Sequence, residues 1–319
     1  MNTDALWFVK PGRVELRPVE LPEPGPEDVI LDVRVCGVCQ FDVHIFAGNE
    51  RFNYPTAGGH ESVGVVAEVG RSVTRVRPGD PVAISGGGSP HFARRMVRRQ
   101  SCLHRLPDGI QRFEHWLVEP VSCAVNGIEC TGIAANDRVA VIGCGFMGLL
   151  LVQGLRHTTA REIVAADLDA ERLALAKDFG AQRTYSLSDP AQLEAFKASK
   201  GDRGYDVVFE AAGAQKALDL ATSLVRMAGK LNIFGLHWGA TTFDGFAWHM
   251  MGLHVLNVSP MFNPRMGEVF AATPALMARG QYELSRLVSH VAPAEQAQSL
   301  FETAAARQDK YMKGAVRFS

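Results

Sequence analysis

No apolar run in this chain is long enough to cross a membrane: the longest, Val139 to Val152, has 14 residues broken by three glycines, against roughly 20 needed for a span. An excess of charge of either sign is also missing. The 33 Lys and Arg set against 34 Asp and Glu leave a formal net charge of −1, which excludes a polyelectrolyte and argues against a nucleic-acid surface. Six cysteines in 319 residues are too few for a disulfide scaffold, so each is read as a core residue, a ligand or a catalyst. There is no internal repeat and no low-complexity tract. The first ten residues carry Asp4 and lack the basic region, apolar run and cleavage site of a signal peptide. A soluble, cytoplasmic protein with neither membrane nor nucleic-acid partners is expected.

The length fits one large or two ordinary domains. Residues 1 to about 105 alternate apolar and polar residues in short runs (Val29 to Val35, Val63 to Val69, Asp80 to Ile84) punctuated by Gly and Pro, which predicts a β-rich first domain. From Arg138 the texture changes. Apolar strands (Val139 to Ile142, Glu162 to Ala166, Asp206 to Glu210, Leu231 to Phe234) alternate with helices starting at Phe146, spanning Ala170 to Phe179 and spanning Ala214 to Arg226. Strands and helices in that rhythm imply βαβ units and a parallel sheet. Beyond about residue 265, Met277 to Leu287 and Ala294 to Ala306 read as helices and Ala315 to Phe318 as a closing strand. The expected division is 1–125, 126–264 and 265–319.

The strand Val139 to Ile142 runs into Gly143-Cys-Gly145-Phe146-Met147-Gly148 and then an apolar helix. Such glycines allow a tight turn and a close backbone approach to a pyrophosphate, which rests on the helix N-terminus. The pattern alone is weak, but the next strand ends at Asp167, 19 residues past Gly148. A carboxylate there accepts hydrogen bonds from both adenosine ribose hydroxyls and repels a 2′-phosphate, favouring NAD over NADP. Asp169 lies beyond the strand and suits a helix cap. Arg172, on the exposed face of the helix that follows, is a further candidate cofactor contact.

In the first domain, Cys36-Gly-Val-Cys39-Gln-Phe-Asp42-Val-His44 is followed, 21 residues after Cys39, by His60-Glu61. Thiolate, imidazole and carboxylate are suitable zinc ligands, and three protein ligands leave one position open for catalysis. There is no second CxxC, and Cys36 continues an alternating strand, so it reads as a small buried residue. Standing alone, His60-Glu61 is more often an ordinary polar site in a strand turn than a metal site.

Taken together these features resemble the zinc-dependent medium-chain dehydrogenase/reductase family. Gly58-Gly-His-Glu-Ser-Val-Gly-Val-Val-Ala-Glu-Val-Gly70 with Val76-Arg-Pro-Gly-Asp80 is similar to its signature segment, and the likeness extends over nearly the whole chain. It implies an α/β protein: a GroES-like β-rich catalytic domain, a Rossmann doubly wound nucleotide domain and a C-terminal return to the first. It implies one catalytic zinc held by Cys39, His60 and Glu61 or Glu119, the last because Glu119-Pro120 resembles a segment of the polyol and threonine dehydrogenase branches. It also implies oxidation of a secondary alcohol, polyol or sugar-derived, to a ketone by NAD, with Asp42 orienting a partner of the zinc ligands and His44 as terminal proton acceptor. His237, followed by Trp238, falls where the family backbone passes near the nicotinamide, and burial at a strand end is the alternative. A homodimer or homotetramer is expected.

Two departures stand out. The four-cysteine structural zinc lobe has no counterpart, because only Gly86-Gly-Gly-Ser-Pro90 precedes His91-Phe-Ala-Arg94, which resembles the next framework strand. No structural zinc is expected. Phe41 stands where many members carry a Ser or Thr that relays the substrate's proton towards His44. Cys123, His249 and His254 are expected to pack, while Phe46, Phe52 and Tyr54 either line a cleft or cover the core. Two other functions fit the same architecture. One is a zinc-free reductase of activated double bonds, which leaves Cys39, His60 and Glu61 without a purpose. The other is a non-catalytic NAD-binding protein, which only Phe41 encourages.

Overall fold

Alternation of apolar and polar residues in the first hundred positions builds antiparallel sheet, and the strand–helix rhythm beyond Arg138 builds a parallel one. A computed structural model describes residues 2–86 and 90–318. It divides the chain into two units, Met1–Ser122 with Gly267–Ser319, and Cys123–Met266.

The chain-order elements of the first half are β1 (Asn2–Lys10), β2 (Arg13–Glu20), β3 (Asp28–Val38), α1 (Gln40–Phe46), β4 (Thr56–Ala57), β5 (Glu61–Val69), β6 (Pro81–Ile84), β7 (Arg95–Arg99), β8 (Leu103–Arg105) and α2 (Val118–Thr131). The nucleotide half adds β9 (Arg138–Ile142), α3 (Phe146–Leu155), β10 (Glu162–Asp167), α4 (Ala170–Phe179), β11 (Arg183–Ser186), α5 (Pro190–Ser199), β12 (Tyr205–Glu210), α6 (Gln215–Leu224), β13 (Val225–Ile233), α7 (Gly245–Met251) and β14 (His254–Leu256). The chain closes with α8 (Met266–Ala278), β15 (His290–Pro293), α9 (Ala297–Ala306) and β16 (Gly314–Arg317).

In the first unit a sheet of order β15-β16-β3-β5-β6-β8, with β7 also on β3, lies beside the small sheet β2-β1-β4. The returning C-terminal segment completes this unit. β16 pairs with β3 antiparallel, and Phe301 of α9 meets Phe8 and Phe92 edge-on at 5.1 and 5.8 Å and stacks on Phe46 at 5.6 Å. Phe46 is thus a core residue and lines no cleft.

The helix expected over Met277 to Leu287 lies earlier, at Met266–Ala278. Gly280, at φ +71, turns the chain out of the helix, and the apolar spacing of Tyr282, Leu284 and Leu287 reflects a loop whose side chains are buried. His91 to Arg94 forms no strand; Ala93 makes one bridge to Ala5 and β7 begins at Arg95. The loop in place of the cysteine lobe, Gly87 to Ser89, lies outside the described residues.

The second unit is a six-stranded parallel sheet of order β11-β10-β9-β12-β13-β14. Strands β9, β10 and β11 build outwards on one side and β12, β13 and β14 on the other, so strand order reverses beside β9, where doubly wound sheets open a crevice for ligands. The glycine loop leaves β9 at that point. Two histidines expected to pack, His249 on α7 and His254 on β14, are exposed instead, because α7 is a short surface helix and β14 the last strand of the sheet. Among the described residues no helix is long and apolar enough to cross a membrane.

Candidate functional site

Strand β3 ends at Val38, and Cys39 opens α1. The helix starts there because Asp42 reaches back: its Oδ2 accepts from the Cys39 N–H at 3.0 Å. Its other oxygen accepts from the Gly59 N–H at 2.9 Å. One fully buried carboxylate therefore ties together the two segments that carry Cys39 and His60. Burial pushes the Asp42 carboxyl up, opposed by the charge of His60 and by both N–H groups. Asp42 has no exposed surface, and both its oxygens are engaged by backbone N–H groups.

The ligand atoms of Cys39, His60 and Glu61 all lie within 4.8 Å of one another, the one such cluster among the described residues. Burial alone would lower the His60 imidazole, but a hydrogen bond to Cys39 and the charges of Cys39, Asp42 and Glu119 push it up to about 11. So much negative charge around one imidazole is a field that a cation relieves. Glu61 adds a second sign of fit. Its side chain is 1% exposed, Oε1 accepts from Lys313 Nζ at 2.6 Å, and Oε2 is buried without a hydrogen-bond partner. A thiolate, an imidazole and a buried carboxylate oxygen with nothing to bond suit zinc better than a hard cation, which prefers an all-oxygen shell. Glu119 sits half-buried in the first turn of α2 and acts on His60 by charge, outside the 4.8 Å group.

Phe41, 40% exposed, faces Phe52 edge-on at 5.0 Å and His60 at 6.3 Å between ring centres. Phe52 and Tyr54 are half-buried against the core, and the Tyr54 hydroxyl donates to the Ile45 carbonyl. His44 is half-buried on α1, and burial with the charge of Arg307 lowers its pKa, leaving a neutral imidazole near pH 7. Cys36 is fully buried, with burial holding its thiol protonated. Cys123 is half-buried in α2, outside the metal cluster.

In the nucleotide unit each glycine of the loop has its own task. Gly143 takes φ +100, a Cβ on Gly148 would collide with the Gly143 carbonyl, and Gly145, which precedes α3, faces open space where a phosphate can reach backbone. Phe146 and Met147 open the helix, the first buried and the second half-buried. Asp167 ends β10 and is held at the loop, with Oδ2 accepting from the Cys144 N–H at 2.6 Å and Oδ1 from the Asp169 N–H at 2.9 Å. Asp169 caps α4 by accepting from the N–H groups of Glu171 and Arg172. Arg172 leans on Asp169 at 4.0 Å. His237 Nε2 lies 2.9 Å from Oε2 of Glu210, a fully buried carboxylate whose Oε1 accepts from the N–H groups of Ala212 and Gly213. Sequence reasoning missed Glu210 and Lys313. An acid ending an apolar strand and a lysine just before one are the only local signals for them.

Residues 25–108 match the alcohol dehydrogenase GroES-like domain family and residues 147–273 the zinc-binding dehydrogenase family. Sorbitol dehydrogenase of Homo sapiens is 28% identical, covering 95% of this chain and 92% of that one. An oxidoreductase of unknown specificity from Escherichia coli superposes with a TM-score of 0.89 at 24% identity and full coverage of both chains. A zinc-binding dehydrogenase from Sinorhizobium meliloti bound to NADP gives 0.85 at 25% identity, covering 99% of each chain.

Proposed function

The chain belongs to the zinc-type medium-chain dehydrogenase family, and on that basis we propose that it oxidises a secondary alcohol, polyol or sugar-derived, with NAD and one zinc ion. Its likeness to sorbitol dehydrogenase and to a zinc-binding dehydrogenase bound to NADP supports oxidoreduction of an alcohol with a nicotinamide dinucleotide. The observation that carries the zinc-dependent form is the convergence of Cys39, His60 and Glu61 within 4.8 Å, with Glu61 Oε2 buried and unbonded. Zinc-free reduction gives those three side chains no task.

Bound there, zinc supplies a Lewis acid that lowers the pKa of an alcohol oxygen. Cys39 and His60 hold it, and a carboxylate of Glu61 or Glu119 completes the protein's share of the shell. Asp42 fixes the backbone of the segments carrying Cys39 and His60, so the donors are preorganised. His44, kept neutral at pH 7 by burial and Arg307, is the proton acceptor. In the nucleotide unit Gly143, Gly145, Phe146, Met147 and Gly148 receive the pyrophosphate, and Asp167, with Arg172 nearby, receives the adenosine ribose. His237, its ring fixed by Glu210, is the contact proposed towards the nicotinamide end.

The test combines metal analysis with an NADH-production screen of secondary alcohols. One zinc per chain and turnover are expected, and Cys39→Ala should abolish both while leaving NAD binding intact. Full activity in Cys39→Ala would refute the ligand assignment.

A further inference from the structure

Lys313 precedes β16 and buries its side chain to 5% exposure, with Nζ 2.6 Å from Oε1 of Glu61. Its backbone is anchored, since its carbonyl accepts from the N–H groups of Ser289 and His290. Its ammonium is thus paired at contact distance with a carboxylate that is itself buried. A buried ion pair is a poor stabiliser, because apolar side chains of similar volume commonly do as well. The pair here has a second property that stability does not require: it occupies one oxygen of Glu61 and leaves Oε2 buried, unbonded and beside Gly37, where a Cβ would collide with it.

We propose that Lys313 is a positioning residue for the metal centre: by holding Oε1 of Glu61 it presents Oε2 alone to the ion and cancels one of the two negative charges that Cys39 and Glu61 bring. The proposal rests on the zinc reading above. Without Lys313, Glu61 is free to turn and offer both oxygens, and its uncompensated charge falls to the ion.

The experiment loads wild type, Lys313→Met and Lys313→Arg with cobalt(II) and with zinc. It records the thiolate-to-cobalt charge-transfer band, the d–d bands, zinc affinity by chelator competition, and Tm with and without zinc. In Lys313→Met the d–d bands should change, zinc affinity should rise by about tenfold or more because the uncompensated carboxylate charge attracts the ion, and the zinc-induced rise in Tm should exceed that of wild type. The larger rise follows because only the metal-free form carries an unpaired buried carboxylate. Lys313→Arg should restore the wild-type values. Unchanged d–d bands with equal Tm losses in the presence and absence of zinc would show a merely structural pair and overturn the proposal. Should Lys313→Met not fold, Lys313→Leu is judged by the same outcomes. A wild type without the charge-transfer band would overturn the zinc reading itself, a result separate from unaltered variants of a metal-binding wild type.

Discussion

Gly37 and Glu61 are cross-strand partners on β3 and β5, and they approach so closely that a Cβ on Gly37 would overlap Oε2 of Glu61. Glycine at 37 is thus a condition for the orientation of Glu61. In Gly37→Ala the carboxylate has to turn away, while Leu117 Cδ1, 2.9 Å from the same Cβ position, has to give as well. Overpacking of this kind costs about 1–3 kcal/mol. The expected signature is a modest fall in Tm with a drop in zinc affinity of about tenfold or more, read by chelator competition. Unaltered affinity would mean that Oε2 is not the oxygen that meets the metal.

Asp167 should make NAD the preferred cofactor. Its carboxylate is held at the glycine loop by the Cys144 N–H, so a 2′-phosphate approaching the end of β10 meets a fixed negative charge. Asp167→Ala removes that repulsion together with ribose hydrogen bonds, each worth about 1.5 to 3 kcal/mol to a charged group. The ratio of NADH to NADPH dissociation constants, followed by fluorescence, should narrow by about tenfold or more. A wild type that already prefers NADPH would disprove the role given to Asp167.

Acid should unfold the first unit through His91. Burial, with the charges of Arg98 and His60, drops its pKa to about 3, against about 6.5 in the unfolded chain. Between those values the unfolded chain binds the extra proton. Stability is therefore intact above about pH 6.5 and declines as pH falls towards 3, by about 3 kcal/mol at pH 4. Replacing the titrating ring in His91→Asn should lower stability at pH 7 and flatten the decline between pH 7 and pH 4 in urea titrations. Parallel curves for the two proteins would eliminate His91 as the cause.

What the sequence made legible was local. The glycine loop, the acid ending the second strand of its unit and the cap at Asp169 are each written within about thirty consecutive residues, and the short-range physics of turns, strand ends and helix starts decides them. The Cys39 and His60 pairing is nearly as local, because Asp42 lies three residues from one and its bond to Gly59 brings in the other. Lys313 is 252 residues from Glu61 and meets it only because β16 pairs with β3, setting Gly314 against Val38. No spacing in the sequence encodes that register. The misplaced helix near Met277 has a related cause, for apolar residues buried in a loop mimic helical periodicity until Gly280 is seen to end the helix.

Phe41 is where the chain departs from its family's pattern, and its ring stands exposed beside His60. A phenyl group neither donates nor accepts a proton, so with His44 as the proposed acceptor a proton leaving an alcohol substrate has to pass through water or a hydroxyl of the substrate. A polyol brings that hydroxyl with it. Substrates with a neighbouring OH should therefore exceed simple secondary alcohols in kcat, beyond any difference in KM, since the extra group acts in the proton-transfer step. Phe41→Ser should selectively raise kcat for simple alcohols, whereas Phe41→Ala only widens the space next to Phe52, whose ring centre lies 5.0 Å away. If the ring merely narrows the pocket, the two variants will behave alike on both substrate types, because each removes the same bulk. A kcat gain confined to serine and to alcohols lacking a second hydroxyl is the pattern that only an interrupted relay produces.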